Sequence, residues 1–227
     1  QAFRLRSSLA TADKQATNND TVIKKFSTAW DIIGDVYEDL TIDMGKVPAL
    51  EGSNDTNLSV LPELGKVLKS GAEAIVQDMN AKYGDNFIFG GAETLEVPFE
   101  LSEDGILTYR GQPVDTMTPE QYKEINDSLY VDIGLGFKEA NGELISSSAY
   151  DSALNGLDFL GYGTEDGTPN NIVSIMWQMG EIFEGYDIET NTWTNGTRED
   201  AQALMEKLEG AADNLNEMYT KLDADTK

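Results

Sequence analysis

The sequence predicts an α+β protein, an elongated bundle of long heptad-patterned helices from both chain ends with a small β-rich domain inserted between them. Two observations predict the bundle. Apolar residues recur at four-three spacing near the N-terminus, and the same spacing returns near the C-terminus. A third predicts the insertion: in the middle of the chain, alternation and turn dipeptides replace the heptad. With 227 residues, 40% of them hydrophobic, the chain is long enough for one or two domains with real cores.

The first element follows from Leu5 onward. Leu5, Leu9, Ala12, Ala16, Asn19, Ile23, Phe26, Trp30, Ile33, Tyr37, Leu40 and Met44 lie alternately four and three apart, and eleven of the twelve are apolar. A helix of about 40 residues spans on the order of 60 Å. The seam narrows at Ala12 and Ala16, where helices can approach closely. Asn19 either fixes register on the seam or faces water at an irregularity, and the two readings weigh equally. Trp30 and Tyr37 lie on one face, where core packing is preferred to a ligand box.

Val47 to Asn57, "VPALEGSNDTN", reads as a turn-rich loop. A second helix follows, with Pro62 in its first turn and Leu64, Leu68, Ala72, Ile75, Met79 and Tyr83 on one face. Gly84 is placed to end it as a left-handed cap. Then comes "AKYGDNFIFGGAET", which is no dinucleotide loop, because the helix precedes the strand instead of following it. Phe87 and Phe89 are expected to pin the first strand, with Ile88 facing away and Gly90 and Gly91 turning the chain outward.

From Phe87 to about Tyr162 the signals are those of sheet. Phe99 and Leu101, then Asp104-Gly105, then Ile106 to Tyr109 predict a hairpin. Leu129, Val131, Ile133, Leu135 and Phe137 alternate as a half-buried strand that ends at Asn141-Gly142. Thr118-Pro119-Glu120-Gln121 predicts a short helix between them. Further on, Pro169 stands near the start of a helix with Ile172, Ile175, Met176, Met179, Ile182 and Phe183 on one side and Gly185 as its stop. The two methionines read as core. Thr197 and Asp200 form a capping-box pattern. After it Ala201, Leu204, Leu208, Ala211, Leu215, Met218 and Leu222 restore the heptad. The rod is therefore assigned to residues 1–91 and 165–227, and the insertion to 92–164.

Composition removes whole classes of function. With 41 acidic against 16 basic residues, the net charge of −25 repels nucleic acid and anionic membrane alike. The chain has no cysteine and no histidine, which removes thiol chemistry, the commonest general base and nearly every transition-metal site. "TEDGTPNN" and "IETNTWTNGT" faintly resemble calcium loops but lack the EF-hand spacing, and a solvated turn is favoured for both. The Asn-x-Ser/Thr matches carry no weight. No catalytic, cofactor-binding or metal-ligating residue is assigned. The chain opens at Gln1 with helical pattern already running, so it reads as the middle of a longer protein.

These segments, in this order, resemble a family. "AFRLRSSLATADKQATNND", residues 2–20, resembles the first long core helix of bacterial flagellin-type axial proteins. "NAKYGDNFIFGG", residues 80–91, is similar to the helix-to-sheet junction of the flagellin-like hook-associated proteins, the hook–filament junction subunits. "SALNGLDFLGYGTEDGTPNNIVSIM", residues 152–176, is similar to their return from the variable domain to the helical core. The resemblance is thin between about residues 92 and 150.

The resemblance implies a structural, non-enzymatic subunit of the flagellum. It would form a ring of copies between hook and filament, against a second hook-associated protein on one side and flagellin on the other. It implies an extracellular place, export through the flagellar secretion channel without a cleaved signal peptide, and an export chaperone acting through terminal segments. A fragment without those segments would be monomeric. Flagellin itself is the nearest rival. An extracellular calcium- or glycan-binding module is more remote, and an enzyme built on an Asp/Glu pair comes last.

Overall fold

The computed structural model describes residues 2–54, 57–132, 139–140, 143–144 and 149–225. Helix α1 runs from Ala2 to Glu38 and continues into a π-helical turn at Asp39–Asp43. Thirty-seven residues span about 55 Å. Its seam is the heptad, but in a different phase. Phe26, Ile33 and Leu40 are buried as the spacing predicts. The positions between them are Val22, Ala29 and Val36, while Ile23 is 54% exposed and Trp30 and Tyr37 are only half-buried. Both phases are four-three, and burial selects the smaller residues, while α7 (Arg198–Asp225) packs along α1. Trp30 instead stacks on Tyr219 of α7 at 5.1 Å and 12°. Ala12, Ala16 and Asn19 are exposed, which favours the water-facing reading of Asn19. The side chains of Leu5 and Leu9 lie outside the described residues.

The expected loop after α1 is largely helix. Helix α2 covers Lys46–Ser53 and accommodates Pro48 because Pro48 sits in its first turn, where an N–H has no intrahelical partner anyway. A 3₁₀ turn at Leu58–Val60 leads into α3, Leu61–Met79, with Pro62 in the first turn. The cap of α3 is Asn80, not Gly84. Gly84, at φ +61°, instead makes the two-residue turn of a hairpin between β1 (Lys82–Tyr83) and β2 (Asn86–Phe87). Phe87, Ile88 and Phe89 are all buried, so Ile88 does not face away from the core.

The β-rich part is a set of short antiparallel ribbons, not one sheet. β3 is Gly90–Gly91. β4 (Phe99–Leu101), β5 (Leu107–Tyr109) and β6 (Gln112–Pro113) form a three-stranded ribbon, with Asp104-Gly105 in its first turn as predicted. Thr118 caps α4 (Pro119–Ile125) through a reciprocal pair of hydrogen bonds with Gln121. β7 (Tyr130–Asp132) covers only the start of the predicted strand, and Ile133, Leu135 and Phe137 lie outside the described residues. Strands β8 (Glu139–Ala140) and β9 (Glu143–Leu144) pair with each other, and β10 (Ala149–Asp151) pairs with β7. β11 (Leu154–Asn155) precedes α5, Gly156–Leu160, where sheet was expected. Asn155 starts that helix by accepting a hydrogen bond from the Leu157 N–H at 3.0 Å.

β12 (Thr164–Glu165) and β13 (Thr168–Pro169) form a hairpin that leads to α6, Ile172–Glu184. The apolar residues of α6 were expected on one side, yet almost its whole circumference is buried. It packs on α3, α7 and α2, so it is the axis of the bundle and not a flank. After it come the hairpin of β14 (Tyr186–Asp187) and β15 (Thr192–Trp193), and then α7. Thr197 and Asp200 bond each other's backbone N–H groups at 2.8 and 3.1 Å, so Asp serves the capping box here. All seven heptad positions predicted for α7 are buried or half-buried.

Candidate functional site

The outgoing and returning chains meet side by side. β3 runs antiparallel to β11, with Gly91 opposite Leu154 and Gly90 opposite Asn155. Gly91 has φ +70°, and a Cβ there would lie 2.9 Å from Asp127 Oδ1, so a larger residue is excluded twice. Just before it, the Phe89 carbonyl accepts from Tyr109 Oη at 3.1 Å and from the Gly156 N–H at 2.9 Å.

Side chains complete this neck. Asn80 donates through Nδ2 to the Phe99 carbonyl at 2.8 Å and accepts from the Phe99 N–H at 2.9 Å, standing in for a strand partner. The Arg110 guanidinium meets both oxygens of Asp127 and also donates to the Ile125 carbonyl, each at 3.0 Å for the shortest contact. Asp127 Oδ1 accepts from the Ala92 N–H at 3.0 Å. Burial pushes the Asp127 carboxyl up, but the hydrogen bonds from Arg110 and Ala92 outweigh it and hold the group below the usual carboxylate range. These contacts tie α3, the three-stranded ribbon and the end of α4 to one point.

Helix α1 braces the same region from one side. Lys25 Nζ donates to the Ser152 carbonyl at 2.5 Å, and Phe26 meets Tyr150 edge-on at 5.7 Å. Burial pushes the Lys25 ammonium down to about 8, against the opposing pull of Asp151. Within the bundle α3 and α6 touch at backbone distance. A Cβ on Gly65 would lie 2.7 Å from the Gly180 carbonyl oxygen, and one on Gly180 would lie 2.8 Å from that of Gly65. Lys69 closes this contact by bonding Glu181 and Glu184 beneath the Trp177 ring.

A groove of about 690 Å³ runs between α5, the β12–β13 hairpin and α7. Tyr122 and Tyr162 stack at 4.4 Å beside it, and Tyr122 donates to Asp158. Burial raises both of these groups; the bond to Asp158 raises Tyr122 further and partly lowers Asp158. Lys207 on the groove wall bonds Glu165 and Asn170, each at 2.8 Å. Asn214 donates to the Asp158 carbonyl at 3.3 Å, so these bonds join α4, α5, the hairpin and α7 across the groove.

The two loops that resemble calcium sites are hairpins. "TEDGTPNN" turns at Asp166 and Gly167, and "IETNTWTNGT" turns after Asp187, whose Oδ1 accepts from the Glu189 and Thr190 N–H groups. Among the described residues no group of three or more carboxylates is placed to hold a metal ion. No helix among them is long and apolar enough to cross a membrane.

Sequence reasoning missed Asn80, Arg110, Asp127 and Lys25. Asn80 had a faint signal, as the polar residue directly after the last apolar position of α3. The others act across long separations that no local pattern encodes.

The fold therefore defines a class: an α+β protein in which long helices from both ends of the chain and a β-rich middle share one core. Sequence comparison alone finds no match, either among family models or among curated proteins. Structural comparison does. The chain superposes on a candidate flagellar hook-associated protein from Vibrio parahaemolyticus with a TM-score of 0.68 at 16% identity, over 97% of this chain and 82% of that one. It matches FlgL from Bacillus cereus with a TM-score of 0.65 at 16% identity, over 99% and 89%. The flagellar junction protein FlgL from Legionella pneumophila matches with a TM-score of 0.62 at 12% identity, over 100% and 98%. The chain shares the fold of these flagellar proteins over 97% or more of its length.

Proposed function

We propose that this chain is a structural subunit of the bacterial flagellum, placed at the junction between hook and filament. One observation carries the reading: the likeness in fold covers 97% or more of this chain and 82% or more of each flagellar neighbour. Residues 1–91 and 165–227 form the stiff rod, and 92–164 form the inserted domain. Copies assemble in a ring with a second hook-associated protein on one side and flagellin on the other. The subunit works without catalytic residues, metal or cofactor. It leaves the cell through the flagellar secretion channel without a cleaved signal peptide, helped by a chaperone that holds its terminal segments. It acts outside the cell, and the chain by itself is monomeric.

The test adds the protein, with its native terminal segments, to isolated hooks, and electron microscopy reads the result. The junction reading expects a short layer at the hook tip, and filaments grow from that layer only after flagellin is added. Long filaments from this protein alone would make it a filament subunit instead.

A further inference from the structure

Lys25 is a half-buried cation whose described hydrogen bond goes to a neutral acceptor, the Ser152 carbonyl. Asp151 acts on it only through space. An ammonium has three donors, so two remain beyond that bond. Burying such a charge is costly unless an anion meets it.

The ammonium borders a cavity of about 190 Å³ between α1, the β1–β2 hairpin and β7. The volume equals that of about six waters at about 30 Å³ each, room for one small ring or a short acyl chain. Val22, Phe87, Ile88, Leu129 and Val131 supply apolar walls, with Tyr83 beside them. The polar groups Asn86 and Thr94 are bonded to each other at 3.0 Å. One cation facing apolar walls, with Thr21, Tyr83, Asn86, Thr94 and Ser152 as the further polar lining, favours a ligand with one negative end and one apolar end.

We propose that this cavity binds a small hydrophobic carboxylate, its carboxylate on Lys25 Nζ and its apolar body against Val22, Phe87, Leu129 and Val131. A bare inorganic anion would leave the walls unused, and a neutral ring would leave the cation unmet. Because the cavity lies between α1 and the β-rich part, a bound acid would also strengthen the brace beside the neck. The site is independent of the assembly reading, which stands whether or not the cavity is filled.

The test titrates the whole chain with sodium benzoate at constant ionic strength, followed by NMR shifts. Saturable one-to-one binding in the millimolar range is expected. Benzamide and acetate should each bind at least about tenfold more weakly, the first for lack of charge and the second for lack of a ring. K25M should weaken benzoate about tenfold, K25R should retain it, and V131F should abolish it by filling the space. If K25M does not fold, the benzamide, acetate and V131F results decide alone. Absence of saturation, equal binding of acetate, or undiminished binding in K25M would each overturn the site.

Discussion

A glycine-to-alanine change made at two places in this bundle should move stability in opposite directions. At Gly210, on the exposed face of α7, a new Cβ meets nothing within 4 Å. Alanine there gains helix propensity and loses unfolded-state freedom, about 1 kcal/mol in favour of the fold. At Gly65 the same Cβ would lie 2.7 Å from the Gly180 carbonyl oxygen and 2.9 Å from the Glu184 nitrogen, both backbone atoms. Reaching ordinary contact near about 3.4 Å requires α3 and α6 to separate by about 0.7 Å. The buried side chains along that contact cannot follow without opening gaps, and overpacking of this kind costs about 1–3 kcal/mol. After the propensity gain of about 1 kcal/mol, G65A should be destabilising by up to roughly 2 kcal/mol. For a chain of this size that is a fall in Tm of up to roughly 8 °C, against a rise of roughly 2–4 °C for G210A. Thermal and urea denaturation of the two variants side by side is the assay. If G65A stabilises as much as G210A, α3 and α6 are not in backbone contact, and the central packing described for α6 is wrong.

Other perturbations probe the neck and the electrostatics. N80A strips the Phe99 N–H and carbonyl of their partners, and urea titration should show a loss of about 2–3 kcal/mol. N171A removes the fully buried cap of α6, which accepts from Val173 and Ser174, and should cost about 1–2 kcal/mol by the same measurement. Burial, then Asp43 and Asp35, hold Asp39 above the ordinary carboxylate range. Its charged form is therefore disfavoured in the fold, and this part of the stability rises as pH falls through the raised value toward the ordinary one. D39N should lift the denaturation midpoint at neutral pH, flatten that acid-side gain, and do less in high salt. A midpoint unchanged at every pH would mean that the carboxylates of this turn do not oppose one another.

Much of this architecture was legible because burial imposes a period. The heptads of α1 and α7 and the caps at Thr118 and Thr197 are local signals with local causes. Phase was not legible. Val22-Ile23, Ala29-Trp30 and Val36-Tyr37 each offer two apolar neighbours, so two four-three readings share Phe26, Ile33 and Leu40. Residue size favours Trp30 and Tyr37, yet Ala29 and Val36 are the fully buried pair, and only tertiary structure decides. Pro48 and Gly52 disguised α2 as a loop, since their effect depends on position within the helix. Gly84 was assigned the right backbone sign and the wrong element. The neck was invisible for a different reason: the Asn80–Phe99, Arg110–Asp127 and Lys25–Ser152 contacts join residues 19, 17 and 127 apart.

The pairing of β3 with β11 has a consequence for how such a chain can change. Neighbouring strands lie about 5 Å apart, so everything between Gly91 and Leu154 begins and ends at nearly the same point. To the helices, that stretch is one closed loop, and the entropy of closing a loop grows only with the logarithm of its length. Length can therefore change cheaply in its exposed turns, but Phe99, Leu107, Tyr109, Val114, Met117 and Ile125 share one core with the helices and must be kept. The same geometry gives an engineer a docking port: a foreign domain with adjacent termini, spliced into an exposed turn of this stretch with those core residues left in place, should leave the melting behaviour nearly unchanged.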